Sequence, residues 1–179
     1  LLLTALFSQS YKDLSERPVY KPIKISSSIT FDGKVDLEEW SNAQVATNFI
    51  GSGTFQGEDA LLKTEARLMY DDTNLYISFK AFVDRDELRY SITKRDNLDD
   101  KDDRVWVNID AFDDESLTYG IGVSAGGAQI DGRATYGFDQ SLDLVYDTKV
   151  QIFDNRYEVE MIIPFSSLRY SLAPIQTWR

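Results

Sequence analysis

The chain contains no cysteine and no histidine. Without thiols there is no disulfide, no CxxC redox pair and no thiolate nucleophile. Without imidazole there is no Ser-His-Asp triad, no Cys/His zinc site and no histidine-held haem. Methionine is scarce as well, with two in the chain, which argues further against haem. Any acid–base chemistry falls to carboxylates, tyrosines and lysines. Any metal would need hard oxygen ligands, which points to calcium or magnesium. No apolar run approaches the ~20 residues of a transmembrane helix.

What the chain does have is β-forming aromatics and negative charge. Tyrosine and phenylalanine number ten each, and both favour strands. The length of 179 residues suits one domain, and such a domain buries roughly 70% of its unfolded surface, so neither metals nor disulfides are needed merely to fold. A formal charge of −11 repels phosphate backbones and anionic membranes, so nucleic acid is excluded as a partner. Neutral ligands and cations stay open.

The first seven residues, LLLTALF, are an apolar run, and Ser8-Gln9-Ser10 gives a small-x-small cleavage pattern. Residues 1–10 read as the remnant of a signal peptide, which implies a secreted, periplasmic or outer-membrane-associated protein. The competing reading is a buried first strand or helix. Residues 11–22 are polar, contain Pro18 and Pro22, and read as a linker. The folded domain is expected over 23–179. Asp36 is placed to cap a short helix, with Glu39 as its capping-box partner and Trp40 as its core anchor. TEARLMY (64–70) and NLYISFKAFV (74–83) flank Asp71-Asp72-Thr73 as a hairpin. Further strands are expected at 105–111, 118–124, 128–136, 145–153 and 157–163, with Gly126-Gly127 at a turn. This spacing predicts an all-β fold, an antiparallel two-sheet sandwich of jelly-roll or immunoglobulin-like kind. It carries one short helix near 36–42 and a helical turn near 165–169. Trp178 reads as the start of another strand, and the natural chain is expected to continue past Arg179.

Three constellations carry possible chemistry. In RVWVNID, Val105, Val107 and Ile109 alternate with Trp106, Asn108 and Asp110. The valine face is the expected core, so the other three face outward or line a cleft. An indole beside an amide and a carboxylate suits a pyranose ring, by stacking and hydrogen bonding; it also suits a surface tryptophan packed beneath a loop. Just before this strand lies an acidic run, Asp96, Asp99, Asp100, Asp102 and Asp103. It offers oxygens to calcium without EF-hand spacing, or it is a solvated loop at the head of the strand. Glu158 and Glu160 share one strand face about 7 Å apart, a spacing compatible with a glycosidase pair and equally with a solvent face. Tyr119, Tyr136 and Phe138 flank SAGGAQIDG as a second stacking wall or as cross-strand pairs.

Four segments resemble one family in order. ITFDGKVDLEEWSNAQ (29–44) is similar to the opening of the family 9 carbohydrate-binding domains, an Asp-Gly turn followed by an acidic-Trp-Ala pattern. TEARLMYDDTNLYISFKAFVD (64–84) resembles that family's first hairpin. RVWVNIDAFDDESLTYGIGVSAGGAQIDG (104–132) resembles its central stretch, and YEVEMIIPFSSLRY (157–170) its close. The resemblance runs from about Ile23 to Trp178 and looks closest to a subgroup at the front of larger bacterial secreted or outer-membrane proteins. It implies a non-catalytic domain that binds carbohydrate or polysaccharide between aromatic rings and carries structural calcium. It also implies a neighbouring downstream domain, which is either a catalytic module or an outer-membrane barrel that this domain serves for interaction or gating. Related domains often show tryptophans near 142–146. Here Leu142, Asp143 and Tyr146 occupy that stretch, which makes Trp106, Asn108, Asp143 and Tyr146 the candidate sugar contacts.

Overall fold

The computed structural model describes residues 2–3, 18–50, 59–97, 99, 101–135 and 137–179. Most of the expected leader and linker, the glycine-rich residues 51–58, Asp100 and Tyr136 lie outside the described residues. The strands are β1 (Leu2–Leu3), β2 (Ile23–Lys24), β3 (Val45–Ala46), β4 (Thr64–Tyr70), β5 (Asn74–Phe82), β6 (Arg104–Asp110) and β7 (Thr118–Ser124). They continue with β8 (Gln129–Ala134), β9 (Phe138–Asp139), β10 (Asp147–Ile152), β11 (Arg156–Pro164) and β12 (Thr177–Trp178). One helix, α1 (Leu37–Trp40), and a 3-10 turn at Phe165–Ser167 complete the set.

The strands form two sheets of a sandwich, as the pattern predicts. The larger runs β10-β11-β5-β4-β2, with β3 also paired to β4. The smaller runs β6-β7-β8-β9, and β1 pairs with β12 in parallel. Period-two alternation places the core between the sheets. Leu75, Ile77 and Phe79 from β5 and Val159, Met161 and Ile163 from β11 meet Val105, Val107 and Ile109 from β6 and Ile121 and Val123 from β7.

The larger sheet is covered on its other face too. Residues 25–43 lie across it, and Val35, Trp40 and Ala43 pack on Met69 and Tyr76. This corrects the reading of Glu158 and Glu160 as a possible catalytic pair or a solvent face: both are buried, Glu160 fully. Glu160 accepts the backbone N–H groups of Asp32 at 3.0 Å and Gly33 at 2.9 Å, and the indole N–H of Trp40 at 3.1 Å. Glu158 accepts the N–H of Val35 at 2.7 Å and Nε of Arg156 at 2.7 Å, with Lys80 Nζ at 3.4 Å. The carboxylates act as acceptors for a loop whose own backbone makes no sheet. Gly33 is held to a positive φ of 89° where the loop passes over the backbone of Lys149 and Val150. Asp36 caps α1 through the N–H of Glu38 at 2.8 Å, whereas Glu39 accepts from the N–H of Thr30 rather than closing a capping box.

The β4–β5 turn hangs on Asp71. One carboxylate oxygen accepts from Thr73 N, Thr73 Oγ1 and Asn74 N at 2.7–2.9 Å, and the other from Tyr76 Oη at 2.6 Å. Partial burial pushes its pKa up, but these donors outweigh it and hold the carboxyl well below its ordinary value of 3.8. A depressed carboxylate pKa contributes stability above the unfolded value and loses it as pH falls through the folded one. Asp71→Ala is therefore expected to cost about 1–2 kcal/mol at neutral pH, the range for a partly exposed charged hydrogen-bond hub. The gap from wild type should close as pH drops below the ordinary value, in urea titrations across an acid pH series.

Candidate functional site

The outward face of the four-stranded sheet carries three glycines beside Trp106, with Ile130 opposite Gly122 on the same face. Register pairs Trp106 with Gly122 and Asn108 with Gly120 on β7, and Gly120 with Gly132 on β8. No side chain rises from those three positions. A Cβ on Gly120 or Gly122 would overlap the six-membered ring of the Trp106 indole. A Cβ on Gly132 would come within 2.7 Å of the Phe138 ring, and one on Gly120 within 2.9 Å of it. The two rings fill the space that β7 and β8 side chains would otherwise occupy. Their centroids are 5.7 Å apart and their planes are inclined by 58°. Phe138 is 48% exposed, and Trp106 is half-buried.

The indole N–H of Trp106 donates to Asn108 Oδ1 at 2.8 Å. That bond turns the amide so that its N–H₂ group is left over, with no partner among the described residues. Arg104 is exposed two positions before Trp106 on the same face. Asp110 shares that parity but not that role. It is buried, and its carboxylate accepts the N–H groups of Phe112, Asp113 and Glu115 at 2.8–3.1 Å. It shapes the loop after β6 and does not complete an outward triplet.

Of the four candidate contacts, the structure keeps Trp106 and Asn108 together and sets Asp143 and Tyr146 elsewhere. Tyr146 is 4% exposed within the main core, on the far side of the same sheet. Its hydroxyl donates to the carbonyls of Gly122 at 2.9 Å and Ile130 at 3.2 Å, and burial pushes its phenol pKa up. Its ring offers no stacking face to solvent. The guanidinium of Arg95 lies 5.1 Å from that ring and also reaches Asp131, the carbonyl of Leu144 at 2.7 Å and Gln129 Oε1 at 3.0 Å. Asp143, with its side chain 78% exposed, sits at the rim of this cluster, 3.6 Å from Arg95 Nε.

The described aspartates of the acidic run point in several directions. Asp96, at a positive φ of 60°, accepts from Asp131 N and donates its own N–H to the carbonyl of Gln129. Asp99 accepts from Lys101 N, Asp102 from Ser91 Oγ, and Asp103 from Arg89 N. Among the described residues no three carboxylates converge on one point. Calcium takes six to eight oxygens around one centre, and Asp100, the fifth carboxylate of the run, lies outside the described residues. Asp96 and Asp103 fasten residues 89–103 to the side of β8 and the head of β6.

Phe138 is the ring that strand-by-strand reading undervalued. The signal for it was Gly120, Gly122 and Gly132, alternating on two strands beside Trp106, since a sheet face bare of Cβ atoms calls for large side chains to cover it.

Solved structures with this fold include a family 9 carbohydrate-binding module from Caldicellulosiruptor kristjanssonii in complex with cellotriose. That match has a TM-score of 0.57 at 22% identity, covering 87% of this chain and 70% of the other. A structure of such a module from the same organism in complex with glucose aligns with a TM-score of 0.57 at 21% identity, over 84% and 72%. A putative carbohydrate-binding protein from Bacteroides uniformis aligns with a TM-score of 0.62 at 11% identity, over 85% and 75%. At these identities the likeness speaks to the fold. No curated protein sequence matches the chain. The family model described as carbohydrate family 9 binding domain-like matches residues 31–176, a span that takes in the Asp32–Trp40 cover, the larger sheet apart from β2, the smaller sheet and the Trp106 face, and the chain belongs to that family.

Proposed function

We propose that this domain binds carbohydrate without transforming it, on the outer face of the β6-β7-β8-β9 sheet. The observation that carries the reading is the Trp106–Phe138 pair seated on a glycine floor, in a member of a carbohydrate-binding family. Trp106 stacks on the apolar face of a sugar ring. The leftover N–H₂ of Asn108 and the guanidinium of Arg104 donate to hydroxyls. Tyr146 acts from behind the sheet, by holding the carbonyls of Gly122 and Ile130. Related modules with the same fold were solved with cellotriose and glucose, which supports a neutral glycan ligand. A non-catalytic role is supported by the use of Glu158 and Glu160 as buried acceptors. Isothermal titration against a panel of oligosaccharides, with calcium present, tests the proposal. Saturable binding to at least one glycan is expected, and heat-silent titration across the panel would sink the reading.

A further inference from the structure

The inclination of the two rings narrows the class of glycan, on the reading that this face binds carbohydrate. Trp106 and Phe138 share one floor, with Gly120 beneath both. Their centroids, 5.7 Å apart, are too far apart to stack on a single face of one pyranose. The separation is close to the advance of one sugar residue along a chain. Two rings in one plane would match a flat array of chains, as on a crystalline polysaccharide. Planes inclined by 58° cannot both lie against such a surface. They can each lie against a different residue of one chain whose successive rings turn relative to one another.

The inclination does not arise from accidental crowding. Each ring is set by its own glycines, Trp106 by Gly120 and Gly122, Phe138 by Gly120 and Gly132. The indole is further fixed by its bond to Asn108. The platform is therefore preformed, and a ligand need not order it on binding.

We propose that the face takes a single, soluble, twisted glycan chain with two consecutive residues, one on Trp106 and one on Phe138. Trp106 is the primary subsite, since it carries the hydrogen-bonding neighbours. Phe138 is the second and is selective for chain length.

The test compares glucose with cellotriose and maltotriose by titration calorimetry on the wild-type domain, on Phe138→Leu and on Trp106→Ala. Leucine keeps Gly132 covered while removing the π face, and circular dichroism and melting confirm the fold of each variant. At least one trisaccharide should bind wild type about tenfold or more tightly than glucose, a step of roughly 1.4 kcal/mol. Phe138→Leu should lower trisaccharide affinity by about the size of that step and glucose affinity by clearly less, and wild type should not be retained on microcrystalline cellulose. Equal affinity for glucose and both trisaccharides would overturn the inference, as would a Phe138→Leu effect of equal size on all three, or retention on the crystalline polymer. Each of those results leaves carbohydrate binding intact, whereas no binding of any sugar removes the underlying reading as well.

Discussion

Replacing Glu160 with alanine is expected to lower stability by about 4 kcal/mol, because a buried donor left without its acceptor costs about 1–3 kcal/mol. Three donors lose their acceptor at once: Asp32 N, Gly33 N and the indole N–H of Trp40. The sum is less than fully additive because the three share one carboxylate. At about 2–4 °C per kcal/mol for a chain of this size, the melting temperature should fall by roughly 10 °C. Glu160→Gln keeps one acceptor oxygen for these donors and should recover part of the loss. Burial also pushes the Glu160 pKa above its ordinary 4.5. The folded state then holds that proton more tightly than the unfolded chain. The stabilisation by Glu160 is therefore fullest below pH 4.5 and declines as pH rises through the raised folded value. The wild-type advantage over alanine should be largest in mild acid. Urea titrations at a series of pH values measure it, and a deficit below about 1 kcal/mol would mean that water reaches the three donors.

Trp106→Ala carries the other large effect, on binding rather than folding. Removing the indole takes away the primary stacking surface and frees Asn108 from its fixed orientation. Affinity for the best glycan should fall by at least a hundredfold, roughly 2.7 kcal/mol. Stability should change far less, because the ring is half-exposed and lies outside the sandwich core. Asn108→Ala should give a smaller loss, since the ring remains while its hydrogen-bond partner is gone. Titration calorimetry and thermal melting on the same samples separate the two quantities. A fall in melting temperature as large as that of Glu160→Ala, with glycan affinity retained, would make Trp106 a structural cover for Gly120 and Gly122 and not a binding residue.

The two-sheet sandwich was legible because the strands repeat every two residues. Val105, Val107 and Ile109 could face only a core, and the Asp71 turn could only join β4 to β5. The layer formed by residues 25–43 was not legible from β11, where Glu158 and Glu160 alternate with apolar residues just as a solvent face would. Charge at alternate positions says that a face is polar, and not whether water or backbone amides satisfy it. Trp40 and the Asp32-Gly33 turn held the missing information, but a contact between residues so far apart in sequence leaves no local period. The acidic run was similarly silent about its partners, since Asp96 and Asp103 bond to β8 and to Arg89, neither of which is adjacent. Tyr146 misled for a related reason. The resemblance puts tryptophans near 142–146 and so singles it out, while its own strand pattern does not show that its hydroxyl meets the carbonyls of Gly122 and Ile130 on the inner side of the sheet. Trp106 was the legible half of the binding face. Phe138 needed the pairing of Gly120 with Gly132 before its position beside the indole made sense.

The hold of Glu160 on Asp32 spans 128 residues, and this sets a schedule for the chain as it is made. Translation runs from the Asp32 end, so the cover segment emerges while the strand that anchors it has not been synthesised. At ~5–20 residues per second, that wait is roughly ten seconds. Val35, Trp40 and Ala43 can meet Met69 and Tyr76 as soon as β4 and β5 emerge, but Asp32 N, Gly33 N and the Trp40 indole N–H have no acceptor until β11 is made. The cover is thus packed early by its apolar side chains and fastened late by its polar ones, when Glu160 arrives.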